Sequence, residues 1–203
     1  MDGLTKTVVT LALSVGAVAF GASLGRQVWS SGRASPLRPF LRHGLTIIAI
    51  AIYTATLPAY FLLPASYRHQ ATAALLFSYP GTLTRYILSV HLNPRLDSVP
   101  LGTLTANTLG TAVLGALHVL QNKSHAVSPV ACGLLQGLAD GYCGCLTTVS
   151  TFASEVLALE QRRRWFYIFV SFALAQAILT VILEPSFHAA SVREQQVCRF
   201  TTG

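Results

Sequence analysis

Residues 7–25 and 43–67 contain no Asp, Glu, Lys or Arg. Each run is long enough to cross a bilayer core, which takes about 20 helical residues. Four further apolar segments follow: about 70–92, carrying a single Arg85; 98–122; 124–160, carrying Asp140; and 165–183. Composition points the same way, at 52% hydrophobic and 10% charged with a mean hydropathy of +0.54. Soluble domains carry about 25% charged residues. Backbone left unpaired in hydrocarbon costs several kcal/mol per group, so spanning segments of this apolarity are expected to be helical. The expected fold class is therefore an all-α polytopic membrane protein with about six transmembrane helices.

The first run has a second reading. Met1 to Lys6, an apolar stretch and then Ala17-Val18-Ala19 resemble a secretory signal with a small-residue cleavage site. Against it stand the length of the run, the offset of Lys6 by Asp2, and Gly16, Gly21 and Gly25, which suit close helix packing. Orientation follows from the loops. Arg26, Arg33, Arg38, Arg42, Arg95, Arg162, Arg163 and Arg164 fall on one side; Lys6, Arg68, Lys123, Arg193 and Arg199 fall on the other. The excess of cations places the first side in the cytosol and both termini outside. The Arg162–Arg164 cluster also suits anionic lipid, which favours the same side. Net charge of +7 does not indicate nucleic acid, because the basic residues lie in short loops between apolar runs.

Within the fifth run a continuous helix is not expected. Gly141-Tyr142-Cys143-Gly144-Cys145-Leu146-Thr147-Thr148-Val149-Ser150-Thr151-Phe152 supplies two glycines, a string of small hydroxyl residues and an aromatic, with Glu155 close behind. Irregular chain at membrane depth persists only where protein or a polar cavity surrounds it, and such breaks commonly carry ion sites. In the fourth run Asn107 carries an amide that needs a partner, either another helix or an ion, and Thr103 and Thr111 lie four residues to either side on the same face. Gly133, Gly137 and Gly141 repeat every four residues, a spacing for close backbone approach that packing alone explains. Asp140 suits either a partnership with Arg85 or a place near an entrance. Tyr167 and Ser171 either extend the polar line or mark an interface.

Other chemistry is not supported. Cys143 and Cys145 form a C-x-C pair with no second pair to complete a zinc set, and with Cys132 they read as small buried residues. No nucleophile triad, phosphate loop or paired carboxylates occur, so an enzyme is not expected.

Three motifs in order then carry a resemblance. Gly81-x-x-x-Arg85-Tyr86-x-Leu88-Ser89, Gly102-Thr103-x-x-x-Asn107-x-x-Gly110 and Gly141-x-x-Gly144-x-x-Thr147-Thr148-x-Ser150-Thr151-Phe152 resemble the CrcB/Fluc fluoride channels. Cys143, Val149 and Glu155 look most like the second repeat of the eukaryotic tandem fluoride exporters, called FEX. The resemblance implies four segments: 1–30, a transmembrane helix remaining from a first repeat; 31–68, a basic loop and joining helix; 69–187, a four-helix repeat; and 188–203, a polar tail. It implies passive, fluoride-selective export of cytosolic fluoride across the plasma membrane, without organic cofactor.

Residue by residue, the resemblance makes Asn107 the amide that helps strip the ion's water and Phe152 a ring whose edge faces fluoride. Val149 stands where the family has another phenylalanine. Thr103, Thr111, Ser150, Thr151, Tyr167 and Ser171 extend the fluoride pathway, with Arg85 and Glu155 in a vestibule. Gly144 and Thr147 would offer backbone carbonyls to a structural sodium ion. In that family pores form where antiparallel repeats meet, so the implied partner is a second inverted copy or a fuller exporter chain within the lipid bilayer. Two other readings stand beside this one: a non-conducting subunit of an exporter, and an unrelated small secondary transporter with Asp140 and Glu155 as coupling carboxylates.

Overall fold

The computed structural model describes residues 39–62, 73–96, 98–122 and 128–188, together with Gly16, Ala19, Phe20 and Ser23. The expected first span at 7–25 and the polar tail at 188–203 therefore lie almost wholly outside the described residues, as do Lys123, Arg193 and Arg199. Every regular element among the described residues is helical. They are α1 (Pro39–Leu62), α2 (Ala73–Leu92) with a 3-10 turn at Asn93–Arg95, α3 (Leu101–Gln121), α4 (Pro129–Gly137), a π-helical turn at Leu138–Cys143, α5 (Gly144–Leu146), α6 (Val149–Ala158) and α7 (Gln161–His188).

α2 lies at the centre. It packs on α3, α4, the π turn and α5, while α3 packs along α7 and α1 leans on α2 from outside. Small residues set these distances. A Cβ on Gly137 would sit 2.6 Å from the Ala73 Cβ, and one on Gly141 or Gly81 would collide with the carbonyl of Ala74 or of Tyr142. Two backbones thus run nearly in contact, which only glycine permits. Pro80 within α2 removes the N–H that the Leu76 carbonyl would otherwise accept. The Tyr53 hydroxyl of α1 takes that place, donating to the Leu76 carbonyl at 3.0 Å, and its ring lies 4.8 Å from Tyr79. A helix defect has become the docking point for a neighbour.

α3 buries Thr103, Ala106, Gly110 and Leu117, a one-face spacing. The Asn93 side chain begins it, accepting from the Gly102 N–H at 2.7 Å. Leu101–Gln121 and Gln161–Ser186 are each long and apolar enough to cross a membrane, and His43–Pro58 is a shorter apolar stretch. In α7 most of that apolar surface faces outward, with Phe169 and Val181 about seven-tenths exposed. A core helix of a soluble protein would bury it.

Candidate functional site

The helical path halts at Thr147 and Thr148, whose backbones are extended (ψ of 152° and 129°). Locally, the Thr148 hydroxyl accepts from the Thr151 N–H at 3.3 Å and so caps α6. Hydroxyl residues favour such caps over helix interiors. The Thr147 N–H and hydroxyl both donate to the Cys143 carbonyl, at 2.9 Å each, closing α5.

What the break leaves open, Asn107 closes. The Thr148 N–H donates to Asn107 Oδ1 at 2.8 Å, and Asn107 Nδ2 donates to the Thr148 carbonyl at 3.2 Å. A primary amide carries one acceptor and adjacent donors, so it pairs with a peptide unit as another peptide would. One helical turn along α3, a Cβ on Gly110 would strike the Thr147 methyl. The Asn107-x-x-Gly110 spacing therefore combines a clamp with the room the break needs. Of the two partners open to Asn107 in sequence, the structure supplies the helix partner.

The clamp has a second consequence. In an unbroken helix the Gly144 carbonyl would accept from the Thr148 N–H, and the Thr147 carbonyl from the Thr151 N–H. Those N–H groups are engaged by Asn107 and by the Thr148 hydroxyl instead. Both carbonyls are thereby released from the helix ladder at an exposed glycine, where a Cβ would meet nothing within 4 Å. Among the described residues no cluster of three or more His, Cys, Asp or Glu could hold a metal ion. Released backbone oxygens are thus the donor type that this segment offers a hard cation.

Further along α6 and α7 lies a held carboxylate. Thr103 donates its hydroxyl to Glu155 Oε1 at 2.6 Å, and Tyr167 donates to Oε2 at 2.9 Å. Tyr167 is fully buried, and its ring stands 5.0 Å from Phe152, tilted by 48°. Val99 and Val156 complete this small core. Glu155 also lines an open cleft of about 310 Å³ with Asn93, Leu96, Val99, Pro100 and Leu159. Two oxygen-rich groups therefore lie one turn of α3 apart, the Asn107–Thr148 clamp and the Thr103–Glu155–Tyr167 set, and Glu155 of the second reaches an open cleft.

The other anticipated residues fall around these groups. Ser150 and Thr151 place their hydroxyl oxygens 3.3 and 3.2 Å from that of Thr148. Thr111 and Ser171 donate to carbonyls of their own helices, at Asn107 and Tyr167. Arg85, half-buried on α2, is not among the residues lining the cleft at Glu155. Asp140 accepts from Gln136 at 2.8 Å, and Gln136 in turn accepts from Gln121 at 3.1 Å. Sequence reasoning placed Glu155 and Tyr167 in separate roles. Their direct hydrogen bond, and that of Thr103 across 52 positions, is a tertiary fact without a sequence signal. Asn93 and the Arg164 guanidinium, which donates to the Leu157 and Leu159 carbonyls, were likewise not anticipated as caps.

The model of the family described as CrcB-like protein, Camphor Resistance (CrcB), matches residues 72–184, from α2 through α7. The chain belongs to the CrcB-like family. As a member of that family it is a membrane protein. It is 48% identical over 117 residues to "Fluoride export protein 1" of Neurospora crassa, covering 58% of this chain and 22% of that protein. Identity to "Fluoride export protein 1" of Candida albicans is 40% over 119 residues, covering 55% and 30%. To "Fluoride-specific ion channel FluC" of Salmonella arizonae it is 39% over 85 residues, covering 42% and 65%. The CrcB-like chain thus spans between 22% and 30% of the length of these fungal relatives.

Proposed function

We propose that this chain forms one wall of a passive, fluoride-selective path that carries fluoride out of the cytosol across the plasma membrane. The observation that carries the reading is the pair of oxygen-rich groups on α3, the Asn107–Thr148 clamp and, one turn along, the Thr103–Glu155–Tyr167 set with Phe152 against Tyr167. The names of the fungal and bacterial relatives supply the ion.

Fluoride is small and strongly hydrated, so a path must replace its water with several weak donors. Hydroxyls of Thr103, Thr111, Ser150, Thr151, Tyr167 and Ser171, the second N–H of the Asn107 amide and the positive edge of the Phe152 ring are donors of that kind. None binds as deeply as a buried ammonium or guanidinium, and conduction requires that the ion leave. The Thr103 and Tyr167 hydroxyls already donate to Glu155, and those of Thr111 and Ser171 to carbonyls of their own helices, so serving an anion requires all four to turn. Arg85 would raise the local anion concentration from outside those groups. The released Gly144 and Thr147 carbonyls fit the donor type of a structural sodium ion, which would fix the break by charge rather than by chemistry. On this reading α4, the π turn, α5 and α6 together make one broken span among about six. The opposite wall comes from an antiparallel repeat, in a second copy or in a fuller exporter chain.

Fluoride efflux from liposomes containing only the purified chain tests this. Selective efflux over chloride, lost in Asn107→Asp and Phe152→Ile, is expected if the chain pairs with its own inverted copy. Efflux that appears only when a complementary repeat is co-reconstituted assigns the other wall to that partner. Folded chain that conducts no fluoride under either condition removes the proposal.

A further inference from the structure

Three arginines open α7, and the helix does not account for them. A helix N-terminus carries partial positive charge, so cations in the first turn are unfavourable there. No acidic residue sits in that turn to offset them. Arg164 has a structural reason, because its guanidinium donates to the Leu157 and Leu159 carbonyls at the C-terminal end of α6. Arg163 is half-exposed and lies 4.0 Å from Glu160, a loose surface pair. Arg162 is exposed and makes no hydrogen bond or ion pair with any described residue.

The direction in which Arg162 projects identifies what it meets. Trp165, Phe166 and Phe169 follow it at the spacing of one helix face. All three are exposed, by 62%, 58% and 72%. In a spanning helix this face borders lipid, and Trp marks the headgroup level. The guanidinium one turn above Trp165 therefore stands at the level of lipid phosphates, which its planar fork can grip with two hydrogen bonds. Arg162 is paired with no described residue, and its positive charge is one that an acidic headgroup satisfies better than a zwitterionic one.

We propose that Arg162 binds the phosphate of an anionic phospholipid whose acyl chain lies along Trp165, Phe166 and Phe169. The occupant is lipid because this turn opens a helix, Gln161–Ser186, that is long and apolar enough to cross a membrane, which sets its first turn at the headgroup level. This site faces away from the Glu155 set and does not depend on which ion the chain carries.

The test uses the purified full chain in nanodiscs of equal phosphatidylcholine and phosphatidylglycerol, with retained lipid identified by native mass spectrometry. Phosphatidylglycerol should be retained preferentially, with the preference falling about fivefold in Arg162→Gln and only partly kept in Arg162→Lys, which retains the charge but not the fork. Arg95→Gln, a charge change at the same end of the bundle, should leave it unaltered. An equal loss in Arg95→Gln would reduce the effect to a diffuse surface field and overturn the site. So would displacement of the lipid by millimolar inorganic phosphate, which would mark a free-anion pocket. If Arg162→Gln folds poorly, Trp165 fluorescence in a Trp29→Phe chain decides. Brominated phosphatidylglycerol should quench it more strongly than brominated phosphatidylcholine, and equal quenching contradicts the proposal.

Discussion

Asn107 illustrates how much one side chain can carry at a helix break. Its amide replaces the peptide partners that Thr148 loses when the helix breaks, accepting at 2.8 Å and donating at 3.2 Å. Asn107→Asp keeps the acceptor, removes the donor and sets a negative oxygen against the Thr148 carbonyl. The expected cost is about 1–3 kcal/mol, the usual penalty for an unsatisfied buried polar group, read as a lower melting temperature in detergent. A melting curve identical to the parent's would mean that the break does not need the clamp. Glu155 gives a second test at this scale. Thr103→Val and Tyr167→Phe each remove one donor from the same carboxylate. Partners in one network couple, so the double variant should depart from additivity by about 0.5–3 kcal/mol. Simple addition would show that the two hydroxyls act independently.

Among the elements, the glycines divide into two kinds that look alike in sequence. Gly137 faces the Ala73 methyl, so Gly137→Ala should separate α4 from α2 and destabilise the fold by about 1–3 kcal/mol through overpacking. A methyl added at Gly144 would meet nothing within 4 Å, and alanine is the better helix former by about 1 kcal/mol. Gly144→Ala should therefore leave folding intact or firmer while lowering fluoride efflux, if that open side faces a sodium ion or the opposite wall. Melting and efflux measured on both variants separate the two roles. The four-residue glycine repeat was legible in the sequence because it needs only counting. That Gly110 serves the break, by leaving room for the Thr147 methyl, was not, because 37 positions separate them and no local pattern joins them.

At the level of the whole molecule, α7 decides the environment. Most of its aromatic and aliphatic residues, Tyr167 apart, point outward in the bundle, a surface that water would penalise at roughly 25 cal/mol per Å². The chain should accordingly partition into the detergent-rich phase of a clouded nonionic detergent. It should also aggregate when detergent is withdrawn, as light scattering would record. Recovery as a dispersed monomer in plain buffer would contradict a spanning α7. The matched segment, from residue 72 to 184, takes in α2 and most of α7, and within it lie both the clamp and the held carboxylate.

Hydropathy and residue type act over a few neighbouring positions, so the sequence alone was enough to indicate apolar helices, an interruption near Thr147 and Thr148, and an amide at Asn107 in need of a partner. It also contained the three ordered motifs that the family match covers. A hydrogen bond, by contrast, forms only between groups brought within about 3 Å, and that distance is set by how helices cross. Only the tertiary structure could decide that Asn107 closes on the Thr148 backbone, that Thr103 and Tyr167 converge on Glu155, and that Tyr53 fills the gap left by Pro80.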